Sequence, residues 1–142
     1  MASGQGVKDL ESLGIWRRAY ELALQVYEET ALLPGDADTE LRAQLRRAAG
    51  AVGGHIADGF GRYSRTEYLR ALHQARGALM ETRHYLHLAR ALDYLDGDAA
   101  ERLVDATTRL NGQLHRTVMA LRDRAASAPP SEPGRRASAV DN

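Results

Sequence analysis

Residues 64–95 read SRTEYLRALHQARGALMETRHYLHLARALDYL. Within this stretch Tyr68, Leu72, Ala75, Leu79, Thr82, Leu86 and Ala89 recur three and four residues apart, the spacing of one face of a long helix. Ser64 and Glu67 form the Ser-x-x-Glu pattern of a capping box, in which each side chain satisfies a free backbone donor of the other residue. The helix is therefore predicted to open at Ser64. Leu92, Tyr94 and Leu95 close it, and Asp96-Gly97-Asp98 is predicted to turn the chain.

The same periodicity extends on both sides. Trp16, Ala19, Ala23, Val26, Thr30 and Leu33 predict a helix from about Ser12 to Leu33, ended by Pro34-Gly35. Leu41, Leu45, Ala48 and Val52 predict a second helix, with Asp38 or Thr39 as its cap. Leu103, Thr107, Leu110, Leu114, Thr117 and Leu121 follow an unbroken seven-residue repeat and predict a helix from about Ala99 to Arg124. No segment alternates with a period of two, so no strand is expected. Four amphipathic helices with short connections fold most economically as an all-α, antiparallel up-down-up-down four-helix bundle. The predicted organisation is a flexible N-terminus over residues 1–8, the bundle over 9–124 and a disordered tail over 125–142. Three of the four prolines, Pro129, Pro130 and Pro133, fall in that tail among Ala, Ser and Gly.

The chain has 142 residues, the length of one ordinary domain, and its 19 Lys plus Arg balance 19 Asp plus Glu. A zero balance argues against a surface that coats nucleic acid or anionic membrane indiscriminately, because that requires a surplus of cations. It leaves room for a local patch. With no cysteine there is no disulfide, thiolate metal site or cysteine nucleophile, which suits a reducing, cytoplasmic setting. No stretch resembles a signal peptide, and none approaches the roughly 18 to 20 apolar residues of a membrane span, so neither export nor membrane insertion is expected.

Two stripes exceed what one core seam uses. Tyr20, Leu24, Tyr27 and Ala31 lie beside the first helix's core stripe, and Leu69, His73, Met80, His84 and His87 flank the leucine seam of the third. Side chains left over in this way either snorkel at the edge of the core or form a subunit interface; the interface is the expectation, with Tyr20, Leu24, Tyr27, Leu69, Met80 and His84 as its candidates.

With the residues placed, a resemblance becomes legible. Its elements are Leu13-x-Ile15-Trp16-Arg17-Arg18-Ala19-x-x-Leu22-Ala23-x-x-Val26-Tyr27, Gln44-Leu45-Arg46-Arg47-Ala48-Ala49 and Ile56-Ala57-Asp58-Gly59-Phe60-Gly61-Arg62-x-Ser64-x-x-Glu67. Leu79-x-Glu81 and Leu88-Ala89-x-x-Leu92-x-Tyr94-Leu95 complete it. In order and spacing, over about residues 9–122, they resemble the bacterial four-helix-bundle proteins of the 23S rRNA intervening-sequence family. That family is similar to the accessory protein of diversity-generating retroelements, a homopentameric bundle that binds nucleic acid and a reverse transcriptase. The resemblance therefore implies a homo-oligomer, a pentamer by analogy, with RNA, DNA or a reverse transcriptase as partner. The chain departs from the family's Ser-Ile-Pro-Ser-Asn-Ile-Ala-Glu-Gly segment: Gly53 stands for the proline, His55 for the asparagine and Asp58 for the glutamate. Arg83 stands at a position that is acidic in relatives. Gly50, Gly53 and Gly54 weaken the second helix but let another backbone approach.

Catalytic and metal sites are not expected. Glu81-x-x-His84 has the spacing used by di-iron carboxylate bundles, yet no second pair accompanies it. Asp58 and Glu67 are explained by turn pairing and capping, and no phosphate-cradling lysine motif follows Gly59-Phe60-Gly61. The arginines carry more. Arg42, Arg46, Arg47, Arg62, Arg65, Arg70 and Arg76 lie between Leu41 and Met80 against only Asp58 and Glu67, a surplus of five cations. In an up-down-up-down bundle the turn between helices two and three shares an end with both termini. That end is expected to gather Arg17, Arg18, Arg116, Arg122 and Arg124 as well, and the opposite end ten acids among only Arg42, Arg90 and Arg102. The expected activity is non-enzymatic, cofactor-free binding of nucleic acid, or of a nucleic-acid-bound protein, through Arg17, Arg18, Arg46, Arg47, Arg62, Arg65 and Arg70. The alternative is a structural or protein-partner module that binds no nucleic acid.

Overall fold

The computed structural model describes residues 9–31 and 39–127. Expectations placed on residues 1–8, on Leu33, Pro34, Gly35, Asp36 and Asp38, and on residues 128–142 lie outside them. A 3-10 turn, Leu10–Ser12, leads into α1, Gly14–Ala31, followed by α2, Thr39–Phe60, α3, Arg65–Ala91, and α4, Gly97–Ser127. No strand occurs among the described residues.

Each helix packs on its neighbours in sequence, and α1 closes the ring on α4. The cross-contacts run in opposite directions along every adjacent pair. On α1 and α2, Gly53 faces Trp16 and Ala19 while Arg46 bonds Thr30. On α2 and α3, Gly59 meets Ala71 while Arg47 bonds Glu81. On α3 and α4, His73 meets Arg122 while Arg83 reaches Thr107. The bundle is thus antiparallel, up-down-up-down.

The predicted stripes form the core. Ala19, Val26, Leu45, Ala48, Val52, Leu72, Leu79, Leu86, Leu103, Leu110 and Leu114 are buried. Removing one Leu or Val side chain from water contributes roughly 1.5–3 kcal/mol. Trp16, Ala23, Tyr68 and Leu121 pack half-buried at the margin. Three threonines stand in the seam, where an unbonded hydroxyl would be costly. Each is satisfied along its own helix: Thr30 donates to Val26 O at 2.7 Å, Thr82 to Ala78 O at 2.8 Å and Thr107 to Val104 O at 2.6 Å.

The boundaries differ from expectation in two places. α3 ends at Ala91, and the turn is made by Leu92–Asp96 rather than by Asp96-Gly97-Asp98. Asp93 takes the left-handed φ of 61°, while Tyr94 N–H donates to Ala89 O at 2.8 Å. This is the geometry by which a left-handed residue closes a helix and satisfies its last carbonyls. Leu95 is then buried, and α4 opens at Gly97, two residues before the expected Ala99. At its other end α4 continues past Arg124 to Ser127, three residues into the segment expected to be tail.

Candidate nucleic-acid interface

The α2–α3 turn is built by short-range chemistry. Ser64 takes extended backbone angles and its hydroxyl accepts from Glu67 N–H at 3.2 Å, which is half of the expected capping box. The Glu67 carboxylate turns instead to Arg62, at 3.4 Å, and Arg62 also donates to Asp58 at 3.2 Å. One guanidinium thus ties the last turn of α2 to the first turn of α3. The hydrogen bond to Asp58, then the charges of Asp58 and Glu67, raise the Arg62 pKa above its ordinary value.

Beneath this clamp the helices come very close. A β-carbon placed on Gly59 would lie 2.4 Å from Ala71 Cβ, a distance that atoms cannot hold, so glycine is required where α2 crosses α3. Phe60 packs edge-on to Tyr68, with ring centroids 6.4 Å apart. Partial burial raises the Tyr68 phenol pKa. Between these elements and the last turns of α4 opens a recess of about 230 Å³, lined by Gly59, Phe60, Tyr63, Ser64, Arg65, Tyr68 and Leu121.

The seven arginines singled out from the sequence do not gather at one place. Arg46 lies toward the opposite end: its Nε donates to Thr30 Oγ1 at 2.8 Å, Nη2 reaches Tyr27 O at 3.4 Å, and the guanidinium carbon sits 4.5 Å from the centre of the Tyr27 ring. It secures the C-terminal turn of α1. Arg47 bonds Glu81 at 2.6 Å and Gln44 at 2.9 Å. The Glu81 hydrogen bond raises the Arg47 pKa despite some desolvation. At 1.5 Å per residue, Arg46 is about 18 Å along α2 from Asp58, the residue that Arg62 holds. Adjacent positions in the sequence misled here because helix length, and not sequence proximity, sets distance. Arg17, Arg18, Arg65 and Arg70 are exposed and make no ion pair or side-chain hydrogen bond among the described residues.

The charge polarity survives in weaker form. Among the described residues, the half of the bundle holding the α2–α3 turn carries Arg17, Arg18, Arg62, Arg65, Arg70, Arg76, Arg116, Arg122 and Arg124 against Asp9, Glu11, Glu21, Asp58, Glu67 and Asp123, nine cations to six acids. The other half carries seven described arginines against nine described acids, Arg46, Arg47, Arg83 and Arg109 joining the three expected there.

The candidate interface residues fall on two faces. Tyr20, Leu24 and Tyr27 remain 50%, 45% and 49% exposed, a stripe on α1 bordering α2, since Tyr20 stacks on Trp16 and Tyr27 lies under Arg46. Gly50 and Gly54, four and eight residues beyond Arg46 on α2, continue this face, and a β-carbon on either would meet nothing within 4 Å among the described residues. Leu69 and Met80 are half-buried against the core, and His84 is exposed, edge-on to Tyr85. They share the α3 stripe of His73, which touches α4 through Arg122 at 3.2 Å. The first stripe thus lies on the α1–α2 face and the second on the opposite, α3–α4 face.

Among the described residues, no three His, Asp or Glu side chains are grouped to hold a metal, and Glu81 of the Glu-x-x-His pair is held by Arg47. Arg83 bridges α3 to α4 by bonding Thr108 at 2.6 Å and Thr107 at 3.3 Å. No helix of the described residues is long and apolar enough to cross a membrane. Tyr63, which belongs to no motif of the sequence, is 98% exposed with a left-handed φ of 56°. A lone aromatic just before an N-cap serine was the available signal.

The pattern of the 23S rRNA-intervening sequence proteins matches residues 11–116. The chain belongs to that family. A solved structure supports the fold: a protein of unknown function from the S23 ribosomal protein family of Bacteroides thetaiotaomicron superposes with a TM-score of 0.69. It is 19% identical, and the match covers 73% of this chain and 97% of that one. No curated protein matches the sequence. In this family member, the Ile56–Glu67 segment quoted for the resemblance is the α2–α3 crossing and its clamp, with Gly59, Arg62, Ser64 and Glu67 each given a structural task.

Proposed function

We propose that this 23S rRNA-intervening sequence protein acts by binding and not by catalysis, as a homo-oligomer that holds nucleic acid on the half of the bundle around the α2–α3 turn. The observation that carries the reading is the set of four exposed arginines, Arg17, Arg18, Arg65 and Arg70, in the half with surplus positive charge. Guanidinium groups engaged with none of the described residues are available to phosphate oxygens, which they bind by charge-assisted hydrogen bonds. Arg46, Arg47 and Arg62 leave the proposed contact set, because each is engaged in holding helices together.

Self-association is supported by the two stripes on opposite faces. A contact that joins one face to a different face of the next copy is heterologous, and such contacts close into rings when the rotation permits. Five subunits, and a retroelement reverse transcriptase as an acidic or RNA-bound partner, rest on the family resemblance alone. Open helix surface at Gly50 and Gly54 would admit a neighbouring backbone closely.

Binding of labelled RNA and DNA tests the reading. Charge reversal of Arg17, Arg18, Arg65 and Arg70 to Glu is expected to abolish low-salt binding, while reversal of Arg90 and Arg109 in the other half leaves most of it. Equal losses from the two sets would leave only nonspecific electrostatics. A nuclease-insensitive protein partner, with no binding of nucleic acid at low salt, would favour the protein-module alternative.

A further inference from the structure

We propose that the recess beside Tyr63 is a stacking site for an unpaired nucleobase, so that the protein takes single-stranded nucleic acid at the tip of the α2–α3 turn. This rests on the nucleic-acid reading above and names the form of the ligand.

Tyr63 precedes the N-cap Ser64, and Tyr68 is the fourth residue of α3. An apolar residue before an N-cap ordinarily packs on that fourth residue as a hydrophobic staple. Tyr63 does not, for it is 98% exposed. Its φ of 56° is one that glycine takes freely and an aromatic residue seldom adopts. The chain thus holds a full aromatic ring in water, at a strained position, on a turn fixed by the Arg62 clamp and the Ser64 cap. An outlier of this kind, held by its surroundings, is a pointer to function.

The recess has the matching chemistry. Phe60, Tyr68 and Leu121 supply apolar walls, Tyr63 supplies a flat π-face, and Arg65 stands at the rim. Every base has a π-face, and aromatic side chains beside a cationic track hold single strands without reading sequence. A duplex keeps its bases stacked on each other and offers none to Tyr63. An apolar side chain of a protein could enter the same space, but Arg65, the one charged residue lining the recess, has no ion pair among the described residues, whereas the nearby acids Asp58 and Glu67 are both paired with Arg62, and this balance favours a polyanion.

Fluorescence anisotropy with a labelled oligothymidine and a duplex of equal length tests this, using wild type, Tyr63→Gly, Tyr63→Phe and Arg65→Gln. Glycine suits the backbone at this position, so Tyr63→Gly is expected to fold, which thermal unfolding checks. The wild type is expected to prefer the single strand, and Tyr63→Gly to weaken that binding on the order of ten-fold. Duplex binding and salt dependence should be unchanged, and Tyr63→Phe should bind as wild type. If Tyr63→Gly matches wild type while Arg65→Gln weakens binding, the stacking site is wrong and the arginine reading stands. If Tyr63→Phe loses as much as Tyr63→Gly, the ring is not the contact and stacking is again wrong. If wild type binds neither probe at low salt, both readings fall.

Discussion

Gly59 and Gly77 are both helical glycines, yet they have opposite meanings. A β-carbon at Gly59 would collide with that of Ala71, whereas a β-carbon at Gly77 meets nothing within 4 Å among the described residues. Gly59→Ala is expected to destabilise by about 1–3 kcal/mol through overpacking. Gly77→Ala is expected to stabilise by up to about 1 kcal/mol, since alanine loses less backbone entropy in a helix. Chemical denaturation of the two variants measures both signs. Tyr68 makes a third case. Its folded-state pKa is raised by burial, so the folded state holds the phenolic proton more tightly than the unfolded chain. The resulting contribution is fully present below the unfolded value of about 10 and is lost as pH rises through the folded pKa. A stability–pH profile should fall on this alkaline limb in wild type and fall less steeply in Tyr68→Phe. None of this was legible in residue identity alone, because glycine, tyrosine and their neighbours read the same whether the space beside them is open or filled.

At the scale of elements, periodicity placed the helices and most of their buried faces correctly. A stripe at three- and four-residue spacing has only one way to leave water, so Leu72, Leu79, Leu86, Leu103, Leu110 and Leu114 could be assigned without a structure. What periodicity could not supply was the destination of long side chains. Arg46 and Arg47 occupy consecutive positions on α2, yet one turns to α1 and the other to α3. The left-handed close at Asp93 was likewise hidden, since Asp-Gly at 96–97 is the stronger turn signal and the chain begins a helix with it instead. Arg46 gives the prediction at this scale. Removing its hydrogen bond to buried Thr30 and its place over Tyr27 in Arg46→Ala is expected to cost about 1–2 kcal/mol, read by chemical denaturation. Loss of nucleic-acid binding without loss of stability would instead return Arg46 to the contact set.

For the whole molecule, a formal charge of zero conceals a surplus on one half and a deficit on the other. The family and the bundle were legible in the sequence, but the size of the polarity was not, because it depended on which end each mid-helix arginine joins. The oligomer belongs to this scale. Native mass spectrometry is expected to give a multiple of the 15.6 kDa chain mass, and Leu24→Asp to shift it toward the monomer with the helices intact by circular dichroism. A monomeric wild type would rule out the ring and leave Tyr20, Leu24 and Tyr27 as an exposed apolar stripe that no second copy covers.

In the proposed mode of binding, Arg17, Arg18, Arg65 and Arg70, unpaired among the described residues, hold phosphates on the half of the bundle around the α2–α3 turn. The most direct test of this mode is the dependence of the binding constant on salt, measured for wild type and for single substitutions of Arg17, Arg18, Arg65 and Arg70 to Gln. Log affinity is predicted to fall linearly with log salt concentration, and each substitution to reduce the magnitude of that slope by about one. A slope unchanged by all four substitutions, or no measurable binding at the lowest salt, would contradict it.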